Sequence, residues 1–199
     1  MEDKIVHQAT ELFLNLGFKN VTMDQIAKEA GISKKTIYQY FENKTALIES
    51  CLENTLVTIG ENISYVKSKN LNAVEEQLEI KKLLMQQMKL EKTSPHYQLQ
   101  KYYPSLYANI RHKHVAVMHA CTAENLAKGI EEGVYRKEVN IELTTKIHFI
   151  CAIELKNAEH FPPDQYSAKD IMNIYTEHFL RSVVTPKGLE ILEQQLKQQ

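Results

Sequence analysis

The stretch "VTMDQIAKEAGISKKTIYQYFENKTALI", Val21–Ile48, packs three helix starts and one sharp stop into a single short segment. Thr22 stands where an N-cap belongs, and Gln25 three residues on completes a capping box. Asp24 lies in the first turn, where the positive end of the helix dipole favours an acid. Met23, Ile26, Ala27 and Ala30 supply an apolar face, and Gly31 ends the helix in the left-handed conformation open to glycine. Ser33 opens a second helix with Ile37 and Phe41 facing inward, and Asn43 opens a third. The small Ala27 allows the second helix to cross closely, while Ile26, Ala30, Ile32 and Ile37 seal the joint. This joint placement predicts a helix-turn-helix.

Both later starts carry lysine at once: Lys34 and Lys35 after Ser33, and Lys44 after Asn43. Cations belong at helix C-termini, and each misplaced one costs roughly 0.3–1 kcal/mol at most. A single instance is explained by drift. Two neighbouring instances with aromatics between them point to a shared anion. At about 100° per residue, Lys35 and Gln39 fall opposite Ile37 and Phe41, with Lys34 and Tyr38 flanking them. Lysine and amide groups address base edges, and tyrosine hydroxyls reach phosphates. The free N–H groups of the two helix starts add positive dipole ends, so duplex DNA is the expected polyanion. The cationic character is local. Residues 1–48 contain six lysines and six acids, whereas Gly31–Lys44 sets three lysines against one glutamate.

Outward from this segment the pattern stays helical. Ile5, Val6, Ala9, Leu12, Phe13 and Leu16 make an upstream stripe closed by Gly17. Downstream of Asn43, Leu47, Ile48, Cys51, Leu52, Leu56, Ile59, Ile63 and Val66 mark one long connecting helix. Asn72 and Glu75 open a fifth helix with Val74, Leu78, Leu84 and Met88, and Ser94-Pro95 reads as an N-cap with proline at the first helical position. Pro104 breaks the following stretch, after which a long helix runs from Ser105 to about Glu132, closed by Gly133. Asn140 starts another to about His160. Ser167 with Asp170 begins the next, striped by Ile171, Ile174, Tyr175, His178, Phe179 and Val183, and "TPKGLEILEQQLKQQ" gives a short terminal helix and a fraying tail. No segment alternates as a strand. The expected fold is all-α, with an N-terminal three-helix helix-turn-helix module at 1–46 on a larger C-terminal helical bundle at 47–199.

Composition limits the function classes. The 199 residues are 43% apolar and 25% charged with a net charge of −1, so nucleic-acid binding must use a local patch. No apolar run approaches the roughly 18–20 residues that span a bilayer, and the acidic, amphipathic "MEDKIVHQATELF" does not fit a secretory signal. The expectation is a cytoplasmic protein with no membrane partner. Cys51, Cys121 and Cys151 are odd in number and widely spaced, which reads as free thiols in a reducing compartment. There is no glycine-rich phosphate loop, nucleophile elbow or paired ligand spacing. His112 and His114 cannot turn both rings to one metal from a helix. No catalytic residue, metal or cofactor is expected.

The segment Val21–Ile48, together with "LFLNLGFKN" before it, resembles the DNA-binding part of the tetracycline repressor (TetR) family of bacterial regulators, over about a quarter of the chain. The resemblance implies an all-α homodimer whose variable C-terminal domain binds a small effector and controls affinity for a DNA operator. By position, Thr22, Ser33, Lys34, Lys35, Thr36, Tyr38, Gln39, Tyr40 and Lys44 match the family's DNA-contacting places. Many members have glycine where Lys35 stands, which leaves open whether Lys35 meets a base, a phosphate or water. The family plan pairs the last two long helices, about 141–160 and 168–184, with their copies in a four-helix interface. For the unknown effector the candidate residues are Tyr103, Tyr107, His114, Met118, Phe149 and Glu154. On a helix Tyr107, His114 and Met118 share one face, which is either a pocket wall or plain bundle core. Glu154 is either the partner of a cationic effector or a helix-rim charge. The resulting expectation is a ligand-responsive transcriptional regulator, more a repressor than an activator. The alternative is an all-α enzyme or small-molecule carrier that keeps the motif without using it for DNA.

Overall fold

The computed structural model of the chain describes residues 1–89, 95–155, 160–162 and 165–198. Among these residues the secondary structure is α-helical, with one isolated bridge between Tyr135 and Val184 and no strand. The fold is all-α, as expected. The chain forms two compact units. The first comprises Met1–Glu61 and Gln86–His114, and the second Asn62–Met85 and Val115–Gln199.

The first unit holds α1 (Glu2–Leu16), α2 (Met23–Ala30), α3 (Lys34–Tyr40), the start of α4 (Lys44–Ser68), α6 (Pro95–Tyr102) and the start of α7 (Pro104–Glu131). Its core gathers Ile5, Phe13, Phe18, Ile26, Ile37, Leu47 and Ile48, joined by Leu99 and Leu106. Each such side chain contributes roughly 1.5–3 kcal/mol by leaving water. Phe13 and Phe18 stack at 5.2 Å across the turn that follows α1. Gly17 has φ of 86° there, and Gly31 has φ of 67° after α2. The N-caps fall where the sequence places them: Thr22 accepts from the Gln25 N–H at 3.2 Å, Ser33 from Thr36 at 3.0 Å and Asn43 from Ala46 at 2.9 Å.

The second unit contains the end of α4, most of α5 (Ala73–Lys89), the later part of α7, α8 (Ile141–Glu154), α9 (Ala168–Val183) and α10 (Pro186–Leu196). Val74, Leu78, Leu126, Tyr135, Phe179, Leu180 and Leu192 form its core. A polar network crosses that core. The Glu76 carboxylate, 2% exposed, accepts from Asn125 Nδ2 at 2.9 Å and Lys128 Nζ at 2.6 Å. Lys128 also donates to the Leu71 carbonyl at 2.7 Å, and the Tyr135 hydroxyl lies 3.0 Å from the Ala73 carbonyl and from Asn125 Oδ1. Burial pushes the Tyr135 hydroxyl well above the usual tyrosine range. Gly129 is required beneath this ring, because a Cβ there would collide with it. On α8, His148 is held by Tyr175, whose hydroxyl lies 2.8 Å from Nδ1, and by Phe179, whose ring centroid is 4.1 Å away. Burial lowers the His148 pKa to about 4, so the ring is neutral at neutral pH.

Two features differ from the sequence reading. Pro104 takes the first position of α7, where its missing N–H is no loss, rather than merely breaking a helix. α8 ends at Glu154, with Leu155 in a turn, and 156–159 lie outside the described residues, as does the proposed cap Ser94. The expected short terminal helix is α10, and it is docked. Thr185 caps α10, Leu192 is fully buried, and Gln195 donates to Glu75 at 3.2 Å. Among the described residues no helix is long and apolar enough to cross a membrane.

Candidate nucleic-acid interface

α2 and α3 are joined through the left-handed Gly31, whose N–H donates to the Lys28 carbonyl at 3.1 Å; the next N–H, of Ile32, reaches the Ala27 carbonyl at 3.0 Å. Ala27, Ala30 and Ile37 are buried at the crossing, which fixes the rotation of α3 about its axis. With Ile37 wholly buried and Phe41 at 5% exposure, the opposite face of α3 is left to solvent. Lys35 and Gln39 are exposed there, and on the flanks Tyr38 and Tyr40 remain nearly half exposed despite their size. Thr36 is half-buried, and its hydroxyl lies 2.8 Å from that of Ser33, so both serve the cap.

The two lysines that follow helix starts have intramolecular partners. Lys34 Nζ donates to Asp24 Oδ2 at 2.7 Å, and this hydrogen bond raises the Lys34 pKa above its ordinary value. The pair is exposed, so it orients the side chain more than it stabilises the fold. Lys44 turns inward, donating to the Phe18 carbonyl at 2.5 Å with the Lys19 carbonyl at 3.5 Å. Burial lowers its pKa. The electrostatic cost of a lysine at each helix start is therefore offset locally: by a carboxylate from the first turn of α2 in one case, by two carbonyl oxygens after α1 in the other. Neither partner is visible in sequence spacing, since the pairs are separated by 10 and 26 residues.

The residues singled out for an effector divide between the units. Tyr103 and Tyr107 come together in the first, packed with Ile110 against its core, and burial raises the Tyr103 pKa. His114 ends that unit's segment and is half-buried, while Met118, Phe149 and Glu154 belong to the second unit. Glu154 is a rim charge, its side chain 53% exposed and 3.6 Å from His160 Nε2.

Residues 5–51 match the model of the tetR family of bacterial regulatory proteins. Over 70 residues the chain is 31% identical to the biofilm operon icaADBC HTH-type negative transcriptional regulator IcaR of Staphylococcus aureus (strain Newman), covering 32% of this chain and 38% of that relative. The chain thus spans well under half the length of the curated relative it matches. Among solved structures, Escherichia coli NemR in its reduced form is 14% identical with a TM-score of 0.76, over 93% of this chain and 97% of that one. The regulatory protein TetR of Rhodobacter sphaeroides is 14% identical with a TM-score of 0.70, over 92% and 98%. At these identities the structural likeness shows a shared fold.

Proposed function

We propose that this chain, whose residues 5–51 are an N-terminal domain of the tetR family of bacterial regulatory proteins, is a ligand-responsive transcriptional repressor that binds a palindromic operator as a homodimer. The observation that carries this reading is the exposed α3 face. Ile37 and Phe41 anchor the helix and are buried, so Lys35 and Gln39 face outward, with the exposed Tyr38 and Tyr40 on either flank. A helix of this kind enters the major groove, where Gln39 and Lys35 address base edges. Thr22, Ser33, Thr36, Tyr38 and Tyr40 contact the sugar-phosphate backbone. Lys34 and Lys44 reach phosphate by exchanging the Asp24 carboxylate and the Phe18 carbonyl for phosphate oxygens.

The division of labour follows the chain. Residues 1–46 read DNA, and residues 47–199 bind the effector and the second protomer. A repressor role is what the name of the S. aureus relative says of that protein. An effector acts by its differential affinity for the DNA-competent and incompetent arrangements of the two reading helices. The protein acts in the cytoplasm, as a regulator rather than an enzyme.

Selection of bound duplexes from a random pool by the full chain tests the reading. The expected product is an inverted repeat with half-site centres about 34–36 Å apart, one turn of the duplex, or a multiple of that spacing. A pool that returns no enriched sequence, with binding indifferent to salt, would overturn it.

A further inference from the structure

Beside the helix-turn-helix, the first unit carries a second basic and aromatic surface. The turn after α1 is held against α6: the Lys19 N–H lies 3.4 Å from Gln98 Oε1, and a Cβ at Gly17 would collide with that amide. This approach brings Lys19 over the Tyr102 ring, with Nζ 5.0 Å from the centroid. Lys101 lies 5.6 Å from the same centroid and 5.3 Å from that of Tyr97, whose hydroxyl it meets at 3.1 Å. Tyr97 is 58% exposed and Tyr102 39%, and both lysines are exposed.

Two ammonium groups thus converge on one exposed ring. Among the described residues neither Lys19 nor Lys101 forms an ion pair with a carboxylate, although Lys34, Lys67, Lys82, Lys113 and Lys128 all do. Like charges gathered without a counter-charge are unfavourable in the free protein and favourable once an anion lies between them. The ring faces hold the lysines in place through cation–π attraction while their N–H groups stay free to donate. Lys19 also belongs to the turn whose carbonyl oxygens hold Lys44, three residues before the Thr22 cap.

We propose that Lys19, Lys101, Tyr97 and Tyr102 form an auxiliary phosphate-binding surface that grips duplex DNA outside the half-site read by α3. This rests on the DNA-binding reading above. The surface adds affinity and no base preference, because bonds to phosphate carry no sequence information directly. Each protomer's footprint therefore extends along the backbone beyond its half-site. The duplex, rather than a single strand, is the occupant because the surface includes the α1–α2 turn, three residues before the Thr22 cap that opens the helix-turn-helix, in the same unit.

The test uses the full chain and two duplexes carrying the selected operator, one trimmed to the half-sites and one extended by about ten base pairs, one helical turn, at each end. The probe is the apparent affinity as a function of salt. Unsubstituted protein should bind the extended duplex more tightly and with a steeper salt dependence. The double substitution Lys19→Gln with Lys101→Gln should remove that difference, lowering the slope by roughly 0.9 for each phosphate no longer neutralised. Binding to the trimmed duplex should be unchanged. Lys113→Gln, in the same unit but paired with Glu53, serves as the control and should alter neither duplex. Equal behaviour of unsubstituted and doubly substituted protein on the extended duplex overturns this surface alone. Preferential loss of binding to single-stranded rather than duplex DNA also overturns it, assigning the tyrosines to base stacking. Absence of any salt-sensitive binding by the unsubstituted protein overturns the DNA-binding reading itself.

Discussion

Ile147→Glu is expected to convert the proposed homodimer to monomer at micromolar concentration and to reduce affinity for the proposed operator by about a thousandfold or more, the usual gap between specific and non-specific binding. α8 is apolar around most of its circumference, carrying Ile141, Leu143, Ile147, Phe149, Ile150 and Ile153. One side is accounted for within the second unit by Thr145, which is buried, and by His148 against Tyr175 and Phe179. Among the described residues the other side is not. Leu143, Ile147 and Ile150 are each more than half exposed and follow one another at helical spacing, and Ile174 of α9 is 59% exposed. A helix that is hydrophobic all round is a helix with partners on all sides. An exposed apolar stripe on two neighbouring elements marks an interaction surface, and a second copy of the chain is the partner proposed. In a two-fold interface a single substitution enters twice. An unpaired buried carboxylate costs about 3–5 kcal/mol, so the dimer loses about twice that. Because Ile147 is exposed within the protomer, circular dichroism and the melting of the isolated chain should change little. Sedimentation showing an intact dimer for Ile147→Glu would remove α8 from the interface.

The second large effect belongs to the core of the C-terminal unit. Lys128→Met should cost about 3 kcal/mol or more, the range for stranding one member of a buried ion pair. Glu76 is nearly inaccessible, and among the described residues its carboxylate would keep the Asn125 amide as its hydrogen-bond partner. The Leu71 carbonyl would lose its donor as well. In a chain of this size such a loss lowers the melting temperature by about 6–12 °C. Adding Glu76→Gln should recover more than half of it, since a neutral amide still accepts from Asn125 and no longer demands a cation. A double variant as unstable as Lys128→Met alone would show that packing by the lysine stem, not charge, supports this corner.

Local chemistry makes much of the fold legible in the sequence. Thr22, Ser33, Asn43, Asn72, Asn140 and Ser167 are all caps, because an N-cap is decided within three residues of the chain. Gly17, Gly31 and Gly133 all take positive φ for the same reason. Interactions between elements are not legible in this way. Lys44 reads as an exposed cation by position, yet its long stem carries the ammonium to carbonyls beyond α1. Lys34 reads as unpaired until α2 and α3 cross and bring Asp24 to it. α10 is easy to underestimate because its apolar residues are few and its tail is polar. Leu192 nevertheless finds a complete hydrophobic site among Val74, Leu180 and Val183. Glu154 shows the reverse case. An acid within an apolar run attracts interest, but the end of α8 leaves it on the rim.

The most direct measurement of whether α3 reads base sequence is the duplex selection repeated with Gln39→Ala and compared position by position with the unsubstituted chain. Gln39 is exposed on the α3 face opposite Ile37, where the fold asks nothing of its amide. The predicted result is relaxed preference at one position in each half-site, worth about 1–3 kcal/mol of discrimination, with every other position retained. An unchanged sequence preference in the variant would contradict major-groove reading by this helix.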